Sequence, residues 1–176
     1  MTLPAASVRR AQLRDAQRLS EVAEETFRAA FGAMNTAEQM DLHCRNRFAE
    51  KIQAAEISDA RMVTLLSECD GQLVGFAQLR WGAAPPCISA KRPGEIQRLY
   101  VNQDWHGKGI AQQLMNASIE EMRQHDSDTV WLGVWERNPR AISFYKKFAF
   151  VAVGDHPFPL GGDLQRDIVM ARAVSS

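Results

Sequence analysis

The stretch Leu99-Tyr100-Val101-Asn102-Gln103-Asp104-Trp105-His106-Gly107-Lys108-Gly109-Ile110-Ala111 decides the fold of this chain. Its first three residues are typical of a buried strand, and its two glycines mark the start of a helix after a short loop. The first N–H groups of a helix lack acceptors within the helix, and the helix dipole adds partial positive charge there. Gly107 and Gly109 leave this backbone open to close approach. The pattern therefore predicts a phosphate site at the helix start, with His106 and Lys108 adding charge at its rim.

Two other phosphate-binding loops do not fit these residues. A P-loop needs Ser or Thr directly after its lysine to hold Mg²⁺, whereas Gly109 follows Lys108. A dinucleotide-binding turn needs Gly or Ala at position 112, which is Gln112. On residue types alone, the glycine pair marks either another kind of phosphate site or an ordinary turn.

Two motifs in this chain resemble those of the GCN5-related N-acetyltransferases (GNAT). Asp104-Trp105-His106-Gly107-Lys108-Gly109 is similar to the family's acyl-CoA motif Gln/Arg-x-x-Gly-x-Gly/Ala, with Asp104 in place of Gln or Arg. Residues 138–150 are similar to its Asn-x-x-Ala-x-x-Phe-Tyr-x-x-x-Gly-Phe helix, with Ala149 in place of glycine. Residues 150–170 resemble the closing hairpin of a subgroup that includes polyamine (spermidine and spermine) acetyltransferases.

The resemblance implies a fold and a reaction. We expect an α/β, single-domain acyl-CoA N-acyltransferase fold over residues 1–176, with a mixed, largely antiparallel sheet flanked by helices and an acetyl-CoA-binding core at about 95–150. The implied cosubstrate is acetyl-CoA, with no metal, and transfer is direct to a primary amine of a small molecule, polyamines being one class. Two alternatives stay open: acetylation of a protein N-terminus or lysine, and a non-catalytic acyl-CoA-binding regulator.

Several positions match the part of the family motifs that holds the cosubstrate. In the family a bulge makes the strand at residues 99–101 splay from the next strand, so that pantetheine pairs with its free edge. Asn138 either contacts pantetheine or caps the helix that Pro139 begins. The implied cofactor-binding residues are Leu99, Tyr100, Val101, His106, Gly107, Lys108, Gly109, Ile110, Ala111 and Asn138.

Catalytic and acceptor-binding candidates also come from the resemblance. Tyr145 matches the tyrosine that protonates the leaving sulfur of CoA, although it can also be a half-buried core aromatic. Glu95 matches a strand glutamate that acts as general base through a water, or it simply marks the strand start. Phe27 and Phe31 lie in the region that shapes the acceptor site in relatives.

Composition narrows the class of protein. The chain has 176 residues, the size of one domain, and carries 21 Lys and Arg against 21 Asp and Glu. This balance gives no general attraction to nucleic acid or to an anionic membrane. With no apolar run of about 20 residues and no signal-peptide pattern, we expect a cytoplasmic protein. The cysteines are three and widely spaced, which favours reduced thiols over disulfides or zinc. Homodimers are common in the family, and the residues neither require nor exclude one.

Apolar periodicity predicts the order β-α-α-β-β-β-α-β-α-β-β, an α/β layered structure with a mixed sheet. Asp15 is expected to cap the first helix, and Asp70-Gly71 to turn a β-hairpin. The predicted strands are Ala6–Gln12, Met62–Cys69, Leu73–Trp81, Glu95–Asn102 and Thr129–Glu136, and the predicted helical segments include Met40–Phe48, Ala49–Ile57 and Gly107–His125. A helix and two strands complete the chain after Asn138.

Overall fold

The computed structural model describes residues 5–174, so residues 1–4 and 175–176 of the predicted domain lie outside the described residues. The predicted order of strands and helices is confirmed, and the segment that follows the second helix forms a separate helix. The elements are β1 (Ser7–Arg10), α1 (Ala16–Phe31), α2 (Ala37–Arg47), α3 (Glu50–Ser58), β2 (Met62–Cys69), β3 (Gln72–Trp81), β4 (Pro93–Val101), α4 (Ile110–Gln124), β5 (Thr129–Trp135), α5 (Pro139–Lys147), β6 (Val151–Leu160) and β7 (Asp163–Ala173).

The strands form one seven-stranded sheet in the order β1-β2-β3-β4-β5-β7-β6. Every neighbouring pair is antiparallel except β4 and β5, which are parallel. The two parallel strands are connected through α4, as a parallel connection requires a crossover. The predicted fold class, an α/β fold with a mixed and largely antiparallel sheet, is confirmed.

Helices cover both faces of the sheet and bury two hydrophobic clusters. On one face, α4 packs Leu114, Met115 and Met122 against the central strands, and the apolar side chains of α5 join this cluster. On the other face, α1 presents Leu19 and Phe27 within a cluster that also includes residues of α2. Buried residues recur every four positions along each helix, at 19, 23 and 27 in α1 and at 110, 114 and 118 in α4, as expected for amphipathic helices.

The hairpin between β2 and β3 turns at Asp70 and Gly71, as the sequence predicts. Both residues have positive φ, 50° and 77°. A two-residue turn with positive φ at both positions matches the right-handed twist of the flanking strands. This turn joins β2 to β3, and β3 pairs with β4 on its other edge.

Two helix starts differ from the sequence-based expectation. The Asp15 side chain does not cap α1: it accepts a hydrogen bond from the Gln12 N–H and binds Arg9. Helix α4 begins at Ile110 and not at Gly107, because both glycines before it have left-handed backbone. The loop preceding α4 therefore runs up to Gly109, at the point where a bound anion is expected.

No helix within residues 5–174 is long and apolar enough to span a membrane.

Candidate active site

The site lies in a cleft between β4 and β5. These strands pair only from Pro93 to Glu95 on β4 and from Thr129 to Trp131 on β5. On the other side of β4, the partner of Gln78 is Arg98 and the partner of Leu79 is Ile96, so Gln97 is an extra, bulged residue. Beyond the bulge, the edge of β4 that faces β5 has no strand partner. The divergence that the family resemblance implies is therefore present, and it opens backbone N–H and C=O groups to a ligand.

A cavity of about 560 Å³ extends from this cleft and contains most of the predicted site residues. It reaches the start of α4 at one end and passes between α1, β5 and β6 at the other. Of the predicted residues, its lining includes Phe31, Leu99, Tyr100, Val101, His106, Gly107, Gly109, Ile110, Ala111, Asn138 and Tyr145. Glu95, Lys108 and Phe27 lie outside the lining.

The start of α4 presents backbone N–H groups beside open space. Gly107 and Gly109 adopt φ of 75° and 82°, a conformation that a side chain disfavours. A Cβ added at either glycine would meet nothing within 4 Å, so open space lies beside both. The first bond of the helix runs from the Gln113 N–H to the Gly109 carbonyl, 3.1 Å, and the N–H groups of residues 110–112 precede it. These donors and the positive end of the helix dipole suit a phosphate.

His106 ties this loop to the opposite wall of the cleft. Its Nε2 lies 2.9 Å from the Val101 carbonyl, and its Nδ1 lies 2.9 Å from Nη1 of Arg140. A carbonyl only accepts and a guanidinium only donates, so Nε2 carries the hydrogen and Nδ1 accepts. Arg140, at the start of α5, is thereby held at the rim of the cavity. Lys108 instead stacks its ammonium over the Trp105 ring, 4.5 Å from the centroid.

Tyr145 reaches the cavity from the last turn of α5. Its ring is half-buried and makes edge-on contacts with Phe144 and Phe150. Burial raises the pKa of its hydroxyl to about 12. The phenol is therefore protonated at neutral pH and able to donate its hydrogen. Asn138 begins α5, and its Oδ1 accepts a hydrogen bond of 3.1 Å from the Ala141 N–H, so it does cap the helix.

The structure does not bring Glu95 into the cavity. The Glu95 carboxylate is buried and forms an ion pair with Arg80 of the neighbouring strand. Burial raises the pKa of Glu95, and the hydrogen bond from Arg80 opposes that rise. The two predicted phenylalanines also separate: Phe31 lies edge-on to Trp135 in the cavity wall, whereas Phe27 stacks on His43 in the core, with 4.2 Å between ring centroids.

Gln97 and Asp167 are polar residues of the cavity that the sequence did not indicate. Gln97 owes its place to the bulge, and its buried Oε1 has no hydrogen-bond partner among the described residues. Asp167 of β7 is 7% exposed, and burial raises its pKa to about 6 against the opposing effect of His156. Alternation along β7 offers a way to find it, because Asp167 shares its face with buried Val169 and Ala171. An aspartate at an inward-facing strand position is unusual.

Among residues 5–174, no group of His, Cys, Asp and Glu side chains is arranged to hold a metal ion.

Comparisons of the sequence identify relatives along most of the chain. The family model described as "Acetyltransferase (GNAT) family" matches residues 18–150. An uncharacterized N-acetyltransferase of Mycobacterium tuberculosis (strain H37Rv) is 31% identical over 160 residues, 91% of this chain and 98% of the relative. A spermine/spermidine N(1)-acetyltransferase of Bacillus subtilis is 25% identical over 133 residues, 70% of this chain and 86% of the relative.

Solved structures share the fold along nearly the whole chain. The PaiA N-acetyltransferase of Thermoplasma acidophilum, solved in complex with coenzyme A, superposes with a TM-score of 0.79 at 22% identity, covering 96% of this chain and 99% of that one. The ribosomal-protein-S18-alanine N-acetyltransferase of Escherichia coli gives a TM-score of 0.68 at 17% identity, covering 98% and 96%. The family match, the splayed strands and the glycine-marked helix start agree: the chain belongs to the acetyltransferase (GNAT) family and is an N-acetyltransferase that uses acetyl-CoA.

Proposed function

We propose that the protein transfers the acetyl group of acetyl-CoA directly to a primary amine of a small molecule. The observation that carries the small-molecule acceptor is the course of the cavity. It continues from the helix start at Gly109 to a second part lined by residues of α1, β5 and β6, where Phe31, Trp135 and Phe158 form an aromatic chamber. A concave chamber with aromatic walls suits the apolar body of a compact ligand.

The same cavity supports a binding mode for acetyl-CoA. Its phosphates would lie against the backbone N–H groups after Gly107 and Gly109, with His106 and Lys108 at the rim. Its pantetheine arm would follow the free edge of β4 at Leu99, Tyr100 and Val101, as an added strand does. Asn138, Ile110 and Ala111 would border this path.

Tyr145 is the proposed general acid. When the carbon–sulfur bond of the thioester breaks, the departing thiolate needs a proton, and the Tyr145 hydroxyl is protonated at neutral pH. The backbone N–H groups on the free edge of β4 are the donors available to a developing oxyanion. Glu95 as general base stays a prediction, and its ion pair with Arg80 does not favour it.

Polyamines are a second candidate class of acceptor. They are favoured by the likeness to the Bacillus subtilis spermine/spermidine N(1)-acetyltransferase. The cavity itself offers less support, because Asp167 is the one acidic side chain among its lining residues. A polyamine carries several ammonium groups, each of which would need a partner on being desolvated.

The proposal is tested by release of CoA thiol from acetyl-CoA in the presence of polyamines, arylalkylamines, aminoglycosides, amino acids and short peptides. We expect turnover on a small primary amine, and calorimetric binding of acetyl-CoA without any acceptor. Tight binding of acetyl-CoA without turnover on any amine would instead favour a regulator. Preferred turnover of peptides would favour a protein acetyltransferase.

Tyr145→Phe is the matching variant. It removes the hydroxyl and keeps the ring contacts with Phe144 and Phe150. Loss of a general acid should lower kcat by about 10²-fold or more, while the Kd for acetyl-CoA stays within a factor of about two. An unchanged kcat would remove Tyr145 from the mechanism.

A further inference from the structure

Two side chains converge over Gly133, a glycine that lines the second part of the cavity. Asp167 lines the cavity as well, whereas His156 lies outside its lining. A Cβ built on Gly133 of β5 would lie 2.9 Å from Oδ2 of Asp167 and 3.0 Å from Nε2 of His156. Asp167 is the register partner of Trp135 on β5 and of His156 on β6. The absence of a side chain at Gly133 is therefore what lets the carboxylate and the imidazole occupy this face of the sheet.

The Asp167 carboxylate is buried without the partners that such a group normally has. It is 7% exposed, and its Oδ1 has no hydrogen-bond partner among the described residues. Asp167 is the one Asp or Glu among the residues that line this cavity. An unpaired buried carboxylate costs several kcal/mol of desolvation unless a cation or hydrogen-bond donor satisfies it. We therefore infer that Oδ1 of Asp167 binds a ligand.

We propose that the Asp167 carboxylate binds the ammonium group of the acceptor and removes its proton for acetyl transfer. The proposal rests on the proposed function and adds to it the group that receives the amine. The aromatic side chains around this position, Phe31, Trp135 and Phe158, take the apolar body of the acceptor. An amine with one cationic centre on an apolar body fits this chamber better than a polycation.

The proton and electron balance of this step closes. The acceptor ammonium gives one proton to Asp167, and the nitrogen lone pair forms a bond with the carbonyl carbon of the thioester. The carbon–sulfur bond then breaks, its electron pair leaves with sulfur, and the Tyr145 hydroxyl protonates the thiolate. The second proton lost by nitrogen restores the Tyr145 hydroxyl. The net products are the amide, CoA thiol and the proton held by Asp167.

We infer that the proton leaves Asp167 on the side of His156. The Nδ1 atom of His156 lies 2.9 Å from the Pro157 carbonyl, which only accepts, so Nδ1 carries the hydrogen and Nε2 has a lone pair available to accept a hydrogen bond. The ring is partly exposed, and Nε2 is the atom directed to the space shared with Asp167. Asp167 can therefore return to its ionised form after each turnover.

The titratable groups around Asp167 agree with this role. His156 faces it from β6 and Tyr100 from β4, while β5 contributes Gly133 and Trp135, which do not titrate. Burial raises the pKa of Asp167 to about 6, which leaves the group ionised at neutral pH but close enough to neutrality to exchange a proton. Glu95, the competing candidate, already has a cation in Arg80.

The test compares Asp167→Asn with Asp163→Asn, which makes the same change at an exposed position of the same strand. Asp167→Asn should lower kcat/KM by about 10²-fold or more and abolish the rise of kcat/KM with pH that is centred near pH 6. Asp163→Asn should keep both the rate and the profile. The Kd for acetyl-CoA should be the same in all three proteins, and circular dichroism should show the same fold.

A second readout needs no turnover. Calorimetry with CoA in place of acetyl-CoA measures binding of phenethylamine and of spermidine to the wild-type protein and to both variants. We expect phenethylamine to bind more tightly than spermidine, and Asp167→Asn to weaken its binding at least tenfold. The assignment would be overturned if the wild-type protein acetylates amines and the kcat/KM of Asp167→Asn lies within threefold of the wild-type value. That result would leave the proposed function standing.

The remaining outcomes separate the two proposals. Amine binding that depends on Asp167 without any acetyl transfer would keep the binding role and reject the transfer function. Loss of activity in Glu95→Gln, with Asp167→Asn still active, would assign the base to Glu95. If neither amine binds and none is acetylated, the role of Asp167 is rejected together with the function.

Discussion

Ala149 occupies a backbone conformation that suits glycine. It follows the last turn of α5 with φ of 64°, and its N–H donates to the Lys146 carbonyl at 3.0 Å. The next residue, Phe150, donates to the Tyr145 carbonyl at 3.2 Å, so this turn sets the end of the helix that carries Tyr145. Alanine at such a position costs about 1–2 kcal/mol relative to a right-handed conformation.

Ala149→Gly should therefore stabilise the protein. Part of the gain is offset by the greater backbone entropy of glycine in the unfolded chain, which leaves about 0.5–1 kcal/mol. Thermal unfolding should show a rise in Tm of about 2–4 °C for a gain near 1 kcal/mol. The matched control is Ala55→Gly, in the exposed interior of α3, which should lower stability by about 1 kcal/mol. The same sign for both changes would reject the strain at Ala149.

At the residue scale, the sequence predicts side chains that belong to motifs. It does not predict side chains whose surroundings come from residues distant in the chain. Tyr145 and Asn138 fall at motif positions, and both line the cavity. Asp167 has no motif around it, and its place in the cavity depends on Gly133, which is 34 positions away in the chain and lies diagonally opposite it on the neighbouring strand. Glu95 is the opposite case: it matches a family position but lies outside the cavity. The motif around it does not show that Arg80 of β3 forms an ion pair with it.

At the element scale, the start of α4 depends on one left-handed residue. Gly109 is the N-cap of the helix with φ of 82° and makes no side-chain cap. Gly109→Ala keeps the open space beside the backbone but forces a Cβ into this conformation. The added cost of about 1–2 kcal/mol can be relieved by rotating the peptide groups that form the proposed phosphate site.

We expect Gly109→Ala to raise the Kd for acetyl-CoA by about tenfold, a change equivalent to about 1.4 kcal/mol. Calorimetric titration measures it directly. Gly32→Ala is the control, because Gly32 has an ordinary helical φ of −62° and a Cβ there meets nothing within 4 Å. Equal affinity in both variants would show that phosphate binding does not depend on the backbone at Gly109.

Most elements could be predicted because their causes are local. Alternation of apolar residues and the Asp70-Gly71 turn specify the β2–β3 hairpin, and a three-to-four-residue period specifies α1 and α4. The bulge at Gln97 has no such local cause. It arises because the register between β4 and β3 shifts by one residue. That register depends on how both strands pack in the sheet, which the sequence of β4 alone does not specify.

At the scale of the whole molecule, a partly buried ion-pair network joins β1 and the start of α1 to the neighbouring strand β2. The Arg9 guanidinium of β1 binds both oxygens of Asp15, at 2.8 and 2.9 Å, and both oxygens of Glu68 on β2, at 2.9 and 3.0 Å. The hydrogen bonds from Arg9 hold the pKa of Asp15 at about 2. The network fixes the point where the chain leaves β1 for α1, and residues of α1 line one wall of the cavity.

Asp15→Asn should therefore lower stability in a pH-dependent way. A carboxyl group whose pKa is lower in the folded protein stabilises it above the unfolded value of 3.8, and this contribution is lost as the pH falls through about 2. The shift corresponds to about 2 kcal/mol at pH 7. Urea unfolding should show the variant less stable than wild type by about that amount at pH 7, with the difference shrinking between pH 4 and pH 2. Asp59→Asn, which breaks the exposed pair with Arg61, should have little effect at either pH because water screens that pair. A deficit in Asp15→Asn that stayed constant down to pH 2 would mean that the cost came from packing and not from the charge on Asp15.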